Sequence, residues 1–233
     1  MKTAPPLFLV DLRELDQWTP HKVIQWAVDT FGDDLAMTSS FQQQSLPLLH
    51  IVSLVAAQLP IFFLDTGYHF EETLATKTRV AEQFGLNVRD IHPDMSREEQ
   101  DAKYGSDLPQ TNPDLCCYLN KVLPLQKAMQ GYRAWITGIR RDQSPARANT
   151  PIVDIRDDGI AKIAPLATWT GDDVWRYMDF HQLPRHPLYS KGYKSIGCAP
   201  CTRPIKEGED ERAGRWSGKK KAECGLHTVF RVK

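Results

Sequence analysis

The chain carries five cysteines, Cys116, Cys117, Cys198, Cys201 and Cys224. Cys116 and Cys117 are adjacent, which makes a strained disulfide, yet two neighbouring thiolates can each bind a different iron of one cluster. Cys198 and Cys201 form a Cys-x-x-Cys pair, a second chelating turn. Four thiolates in two short units are what a [4Fe-4S] cluster or a zinc site requires, and spacing alone does not separate the two. A free cysteine is also commonly a small buried hydrophobe, and Cys-x-x-Cys alone can be a redox dithiol. The adjacent pair is what favours a metal centre. The fifth, Cys224, follows Lys219, Lys220 and Lys221 and precedes His227. Cationic neighbours lower a thiol pKa and favour the nucleophilic thiolate, and an imidazole can assist, although a cysteine this near a terminus can also be incidental.

These residues need elements to position them. Residues up to about 165 alternate short apolar runs with amphipathic segments, the pattern of an α/β domain with a largely parallel sheet. Thr19-Pro20 reads as an N-cap and first helical position, and the spacing of Val23, Ile24, Trp26, Ala27 and Phe31 predicts a helix up to Gly32. Strands are predicted at 35–38, 61–64, 88–91 and 134–137, and a hairpin pairs 152–155 with 160–163. Helices are predicted through 48–55, over 70–84, over 115–130 with a kink at Pro124, and over 171–180 with a Thr170/Asp173 capping box. Ligands of open α/β sheets bind outside the carboxyl ends of the strands, so the polar turns at 39–44, 65–67 and 138–147 are expected to converge on one crevice. The pattern weakens beyond Pro184, where Pro, Gly and Lys accumulate and something must tie the chain down. Two regions result, an α/β body over 1–184 and an irregular C-terminal segment over 185–233.

With 233 residues, 29 Lys+Arg and 29 Asp+Glu, the chain suits a globular protein that needs no disulfides, and a nucleic-acid coat or wholesale disorder is disfavoured. The N-terminal apolar run is far shorter than a signal-peptide core, and no stretch of about 18 apolar residues occurs, so neither secretion nor a membrane is expected. A cytoplasmic location with reduced or metal-bound cysteines follows. The zero net charge is unevenly spread: residues 185–233 hold twelve Lys/Arg against five Asp/Glu. A basic tail is often only a solvated segment, but it also suits a small anionic substrate.

Taken together, Thr38-Ser39-Ser40-Phe41, Leu64-Asp65-Thr66-Gly67 with Phe70-Glu71-Glu72-Thr73, Ile136 through Ser144, and Glu223-Cys224-Gly225-Leu226-His227 resemble the assimilatory sulfonucleotide reductases over roughly residues 35–227. The two cysteine pairs resemble that family's iron–sulfur branch, which generally prefers adenosine 5′-phosphosulfate (APS) over its 3′-phosphorylated form (PAPS). The resemblance implies an adenine-nucleotide α-hydrolase-like fold and a [4Fe-4S] cluster on Cys116, Cys117, Cys198 and Cys201. It also implies Cys224 as the nucleophile that takes the sulfonyl group while AMP leaves, and a separate dithiol protein such as thioredoxin that releases sulfite. By the same likeness Lys121, Arg140, Arg141, Arg212 and Arg215 face the phosphosulfate, Ser39, Ser40, Asp65 and Thr66 line the nucleotide pocket, and His227 assists. Guanidinium forks suit such an anion better than ammonium point charges. The chain departs from the family in Ser40-Phe41-Gln42-Gln43-Gln44, where members often have glycine as in Ser-Phe-Gly-x-Gln or Ser-x-Gly-x-Glu, which leaves the phosphate contacts and the APS preference open. The nearest alternative is a PAPS or dual-substrate reductase. More distant ones are an ATPase of tRNA-thiolation type, whose Ser-Gly-Gly-x-Asp-Ser loop is absent here, and a non-catalytic zinc module. Homo-oligomerisation is compatible with the sequence, which specifies no number of copies.

Overall fold

The computed structural model describes residues 14–156, 158–221 and 223–226. Helix α1, Pro20–Phe31, starts where Thr19 accepts a hydrogen bond from the Lys22 amide at 3.3 Å, and it buries Val23, Ile24, Ala27 and Phe31. The chain then enters β1, Leu35–Thr38. Helix α2, Leu46–Val55, leads to β2, Ile61–Leu64, all four of whose residues are buried. Helix α3, Glu71–Phe84, ends on Gly85 in the left-handed conformation at φ 61° and is followed by β3, Val88–Ile91. A left-handed residue at this position lets the last helical carbonyls be capped without a Cβ penalty.

The stretch between β3 and the next strand differs from expectation. Helix α4, Arg97–Tyr104, was not foreseen, although Ser96 and Glu99 form a full capping box. Short helices α5, Leu108–Thr111, and α6, Pro113–Cys117, follow. The single kinked helix expected over 115–130 is instead α6, a π-helical turn over Tyr118–Val122, and α7, Leu123–Ala128. Pro124 lacks an amide hydrogen, and it sits in the first turn of α7, where that hydrogen would have no helical partner.

Strand β4, Ala134–Ile136, and the pair β5, Val153–Ile155, and β6, Ala161–Ile163, complete the sheet. Among the described residues six strands run in the order β3-β2-β1-β4-β6-β5, all neighbours parallel except the antiparallel β5–β6 pair. Side chains alternate across it. Met37, Phe63 and Ile136 join Ile24, Leu49 and Val52 on one face, while Ala36, Phe62 and Trp135 join Val122, Leu125 and Met129 on the other. Burial on both faces explains why the strands read as continuous apolar runs rather than alternating ones. Helix α8, Gly171–Phe180, carries the expected Thr170/Asp173 capping box. No helix of the described residues is long and apolar enough to cross a membrane.

Beyond α8, among the described residues, only helix α9, Pro187–Ser190, a 3-10 turn at Ala199–Cys201 and an isolated Thr202–Arg215 bridge give regular structure. What ties this segment down is the glutamine run. Gln42 Oε1 accepts from the Ile196 amide at 3.0 Å, and Gln43 Oε1 accepts from the His186 amide at 2.5 Å. Gln44 Nε2 donates to Glu211 at 2.7 Å. The three glutamines, of which Gln42 stands where the family often has glycine, thus bind three separate points of the C-terminal segment. The left-handed backbone of the turn falls instead on Phe41, at φ 51°, whose buried ring packs on Phe63. That conformation is strained for a residue with a side chain.

Candidate active site

A cleft of about 1000 Å³, counted to its open mouth, lies at the carboxyl ends of β1, β2 and β4, within the range of nucleotide-sized sites. The turn after β1 contributes Ser39, Ser40 and Gln42, and the turn after β4 contributes Gly138, Ile139, Gln143 and Arg147. The π-helical turn contributes Lys121, and the C-terminal segment contributes Gly197, Arg212, Arg215 and Cys224. Two of the three polar turns therefore converge as expected.

The third does not. Asp65 and Thr66 do not line the cleft. The Asp65 carboxylate accepts from the Gly67 amide at 3.0 Å, an Asx turn that consumes it locally. Thr66 Oγ1 accepts from the Tyr68 amide and lies 3.3 Å from Cys198 Sγ, in a second cavity. Arg140 and Arg141 are also placed elsewhere. Arg140 is fully buried, its guanidinium on both Asp142 carboxylate oxygens and on Gln44. Arg141 forms a bidentate pair with Asp16 at 2.8 and 2.9 Å and donates to the Thr150 carbonyl. Consecutive residues leaving a strand point in different directions, and here each finds an acidic partner before it can reach the cleft. The cation this loop does give to the cleft is Arg147, which sequence reasoning missed although it lies in the turn it had marked. His227 lies outside the described residues.

The second cavity is lined by Cys116, Cys117, Cys198 and Cys201 together with Thr66, Asn120, Lys121 and Arg215. Helix α6 delivers the first pair and the 3-10 turn the second. Asn120, locked by reciprocal hydrogen bonds with Gln100, points its amide at Cys116 Sγ from 3.6 Å. Burial, with Cys198 and Cys201 nearby, pushes the Cys116 thiol up to about 11, and burial also raises Cys201. The four sulfurs surround a space and do not converge on a point: among the described residues no three His, Cys, Asp or Glu side chains are placed to share a single ion.

Lys121 and Arg215 line both cavities and so form the wall between them. Burial would discharge Lys121, but the sulfurs of Cys198, Cys224 and Cys117 outweigh burial and hold its pKa above the ordinary lysine value. The Arg215 guanidinium lies against the Gly197 backbone so closely that a Cβ there would collide with it. Its Nε is buried and has no hydrogen-bond partner among the described residues. Cys224 sits beside this wall, its thiol held well below the ordinary value by a hydrogen bond from Cys117, which overcomes burial, with Lys121, the Leu226 amide and Arg215 adding to the effect. Cys117 is pushed up in turn by the same hydrogen bond and by burial.

The chain is similar to known proteins over most of its length. The family described as the phosphoadenosine phosphosulfate reductase domain matches residues 34–204. The adenosine 5′-phosphosulfate reductase of Streptomyces coelicolor is 47% identical over 92% of this chain and 91% of its own. The phosphoadenosine 5′-phosphosulfate reductase of Gloeobacter violaceus is 46% identical, again over 92% and 91%. The crystal structure of phosphoadenylyl-sulfate reductase from Candida auris in a phosphate complex superposes with a TM-score of 0.70 at 31% identity, covering 81% of this chain and 94% of that one.

Proposed function

The chain belongs to the phosphoadenosine phosphosulfate reductase domain family, and we propose that it reduces APS to sulfite and AMP with Cys224 as the nucleophile. The observation that carries this reading is the position of Cys224, in the same cleft as the Ser39–Ser40 turn, Lys121, Arg212 and Arg215. A thiolate and three cations at the end of a nucleotide-sized cleft suit attack on an anionic sulfuryl group. The Cys224 sulfur forms a bond to the sulfate sulfur, the bond from that sulfur to the bridging oxygen breaks, and AMP departs with the electron pair. A thiol of an external dithiol protein of thioredoxin type then attacks Cys224 Sγ and expels sulfite. Its second thiol resolves the mixed disulfide and regenerates Cys224, so the two electrons come from the dithiol.

Ser39 and Ser40, at the carboxyl end of β1, are the nucleotide-side contacts of this reading, and Lys121, Arg212 and Arg215 stabilise charge on the phosphosulfate and hold Cys224 as thiolate. Residues 1–184 supply the nucleotide-binding body, and 185–233 bring the second cysteine pair and the nucleophile. Cys116, Cys117, Cys198 and Cys201 fit a [4Fe-4S] cluster. They are four soft donors around one cavity, Asn120 and Thr66 lie within reach of two of the sulfurs, and the raised Cys116 and Cys201 thiols call for a positive group between them. Such a cluster would supply a fixed charge behind Lys121 and a tie for the 198–201 turn. With Cys117 engaged as a ligand, Lys121, Arg215 and the Leu226 amide remain to favour the Cys224 thiolate. We place the protein in the cytoplasm, where thiols stay reduced.

Relatives of nearly equal identity are named for APS and for PAPS, so a second reading is a PAPS or dual-substrate enzyme, decided by kcat/KM for the two nucleotides. The test of the main reading is to incubate anaerobically purified, reduced protein with APS without a dithiol and locate by mass spectrometry a sulfonate adduct on Cys224. Sulfite release at full rate without that adduct would overturn it. Stoichiometric zinc in a colourless preparation would overturn the cluster assignment.

A further inference from the structure

The reaction above gives no task to Glu223, the residue before Cys224. Its carboxylate is nevertheless the most heavily bonded group of the tail. Glu223 Oε1 accepts from Arg147 Nε at 2.9 Å and from Ser144 Oγ at 3.1 Å, and Oε2 accepts from Arg147 Nη2 at 2.6 Å and Arg212 Nη2 at 3.3 Å. The pair with Arg147 is the bidentate, parallel form that fixes direction as well as distance. Side-chain exposure is only 10% for Glu223, 11% for Arg147 and 16% for Arg212, so this is not a solvated surface contact of negligible worth.

The donors of Arg147 are the telling detail. Its third nitrogen, Nη1, donates to Gln143 Oε1, so each nitrogen of the guanidinium is already engaged. Three of its five N–H groups are thereby committed, two of them to the Glu223 carboxylate in one fork. The residue is built to receive the tail. Upstream, the tail is held by Lys219 donating to the Pro109 and Gln110 carbonyls and by Lys221 paired with Asp114. Among the described residues between Trp216 and Cys224 no side chain is a buried hydrophobe, so polar fastenings hold the tail up to the nucleophile, and beyond it Leu226 packs against the core cluster of Phe62 and Val122. Glu223 is the last of the polar fastenings.

We propose that Glu223 is a positioning residue, whose ion pair with Arg147 and Arg212 latches the C-terminal tail so that the Cys224 sulfur is held in the cleft. The role rests on the reading of Cys224 as the nucleophile, but the latch itself is observable without turnover. Breaking it frees the tail and costs the reaction its alignment while leaving the nucleotide side of the cleft intact. The opposite possibility, that the carboxylate merely occupies an anion seat until substrate displaces it, makes the opposite kinetic prediction.

The experiment uses the anaerobically purified protein and Glu223→Gln, with Arg147→Lys as a second variant that keeps the charge and loses the fork. Labelling of Cys224 is followed by mass spectrometry with iodoacetamide and with a bulky maleimide, because the ratio of the two rates cancels any change in thiolate fraction and reports access alone. In both variants the bulky-to-small ratio is expected to rise at least about tenfold and kcat to fall about 10- to 100-fold, with KM for APS changed by less than about threefold. An unchanged ratio overturns the latch. A several-fold lower KM with unaltered kcat overturns it in favour of a displaced carboxylate. A raised ratio in protein that forms no sulfonate adduct on Cys224 sinks the nucleophile assignment and leaves the latch standing.

Discussion

The sheet body and the C-terminal segment are held together by different forces. In β1, β2 and β4, nearly every side chain is buried between two helical layers, and Leu48, Leu49 and Val52 of α2 are fully so. From residue 185 onward the fully described hydrophobes that are buried are Leu188, Ile196 and Trp216. At about 1.5–3 kcal/mol for each buried side chain, so few cannot fix some forty residues. The segment is held instead by Gln42, Gln43 and Gln44, by the Arg203–Glu209 pair and by Glu223. Hydrogen bonds are directional and apolar burial is not. The body therefore tolerates loss of a single contact gradually, whereas the segment that carries Cys224 depends on particular atoms being present.

That contrast can be broken at its extreme by Cys224→Ser. Sulfite formation should fall to background, a loss on the order of 10⁴-fold or more, because a serine hydroxyl, unlike a thiol, is not ionised at neutral pH even beside lysine and arginine charges. The thermal unfolding of the body should not move, since Cys224 contributes nothing to the sheet. A large shift in melting temperature would mean that tail and body are one cooperative unit.

A test from the other side is Leu49→Ala. The side chain is fully buried in the larger core, and the loss should be about 2–5 kcal/mol, read as a lower denaturation midpoint for the whole protein. Activity measured well below that midpoint should change much less than stability. The smallest effect, and the one that sharpens the comparison most, is expected for Gln43→Ala. It leaves the buried His186 amide unpaired at a cost of about 1–3 kcal/mol. Hydrogen exchange over 185–205 should accelerate roughly 5- to 150-fold, while β1, β2 and β4 amides keep their protection. Uniform acceleration across both regions would show that the glutamine run supports the sheet rather than the segment.

Most of the architecture was legible because it is local. Thr19-Pro20 before an apolar face, Gly85 after one, and Thr170 three residues before Asp173 each state a helix end within a few residues. The parallel strands show themselves as apolar runs with polar turns at their carboxyl ends. Helix α4 was equally legible in Ser96-x-x-Glu99 but was passed over because its only buried residue is Gln100, so no apolar stripe announces it. The division of α6, the π turn and α7 was not legible beyond the kink at Pro124. The π turn holds Asn120, bonded to Gln100, and Lys121, which lines the cysteine cavity, contacts between residues far apart in the chain that no local pattern announces.

The site divides in the same way. The residue types were in the sequence: four thiols in two chelating pairs, one thiol among cations, and arginines for an anion. Which arginines face the cleft was not. An arginine has a long flexible side chain, and its direction is set by the carboxylate that claims it, Asp142 for Arg140, Asp16 for Arg141 and Glu223 for Arg147. Those partners lie from 2 to 125 residues away along the chain. The glutamine run at 42–44 could be seen only as a departure from the family's glycine at position 42 until the segments at 186, 196 and 211 were folded onto it. Sequence by itself determined the alternation of elements, the sheet and the chemical inventory, because periodicity and capping act within a turn or two. Tertiary structure alone decided the pairing of polar groups, because a hydrogen-bond partner is chosen by distance in space, and in this protein the segment that carries Cys224 is placed by such choices.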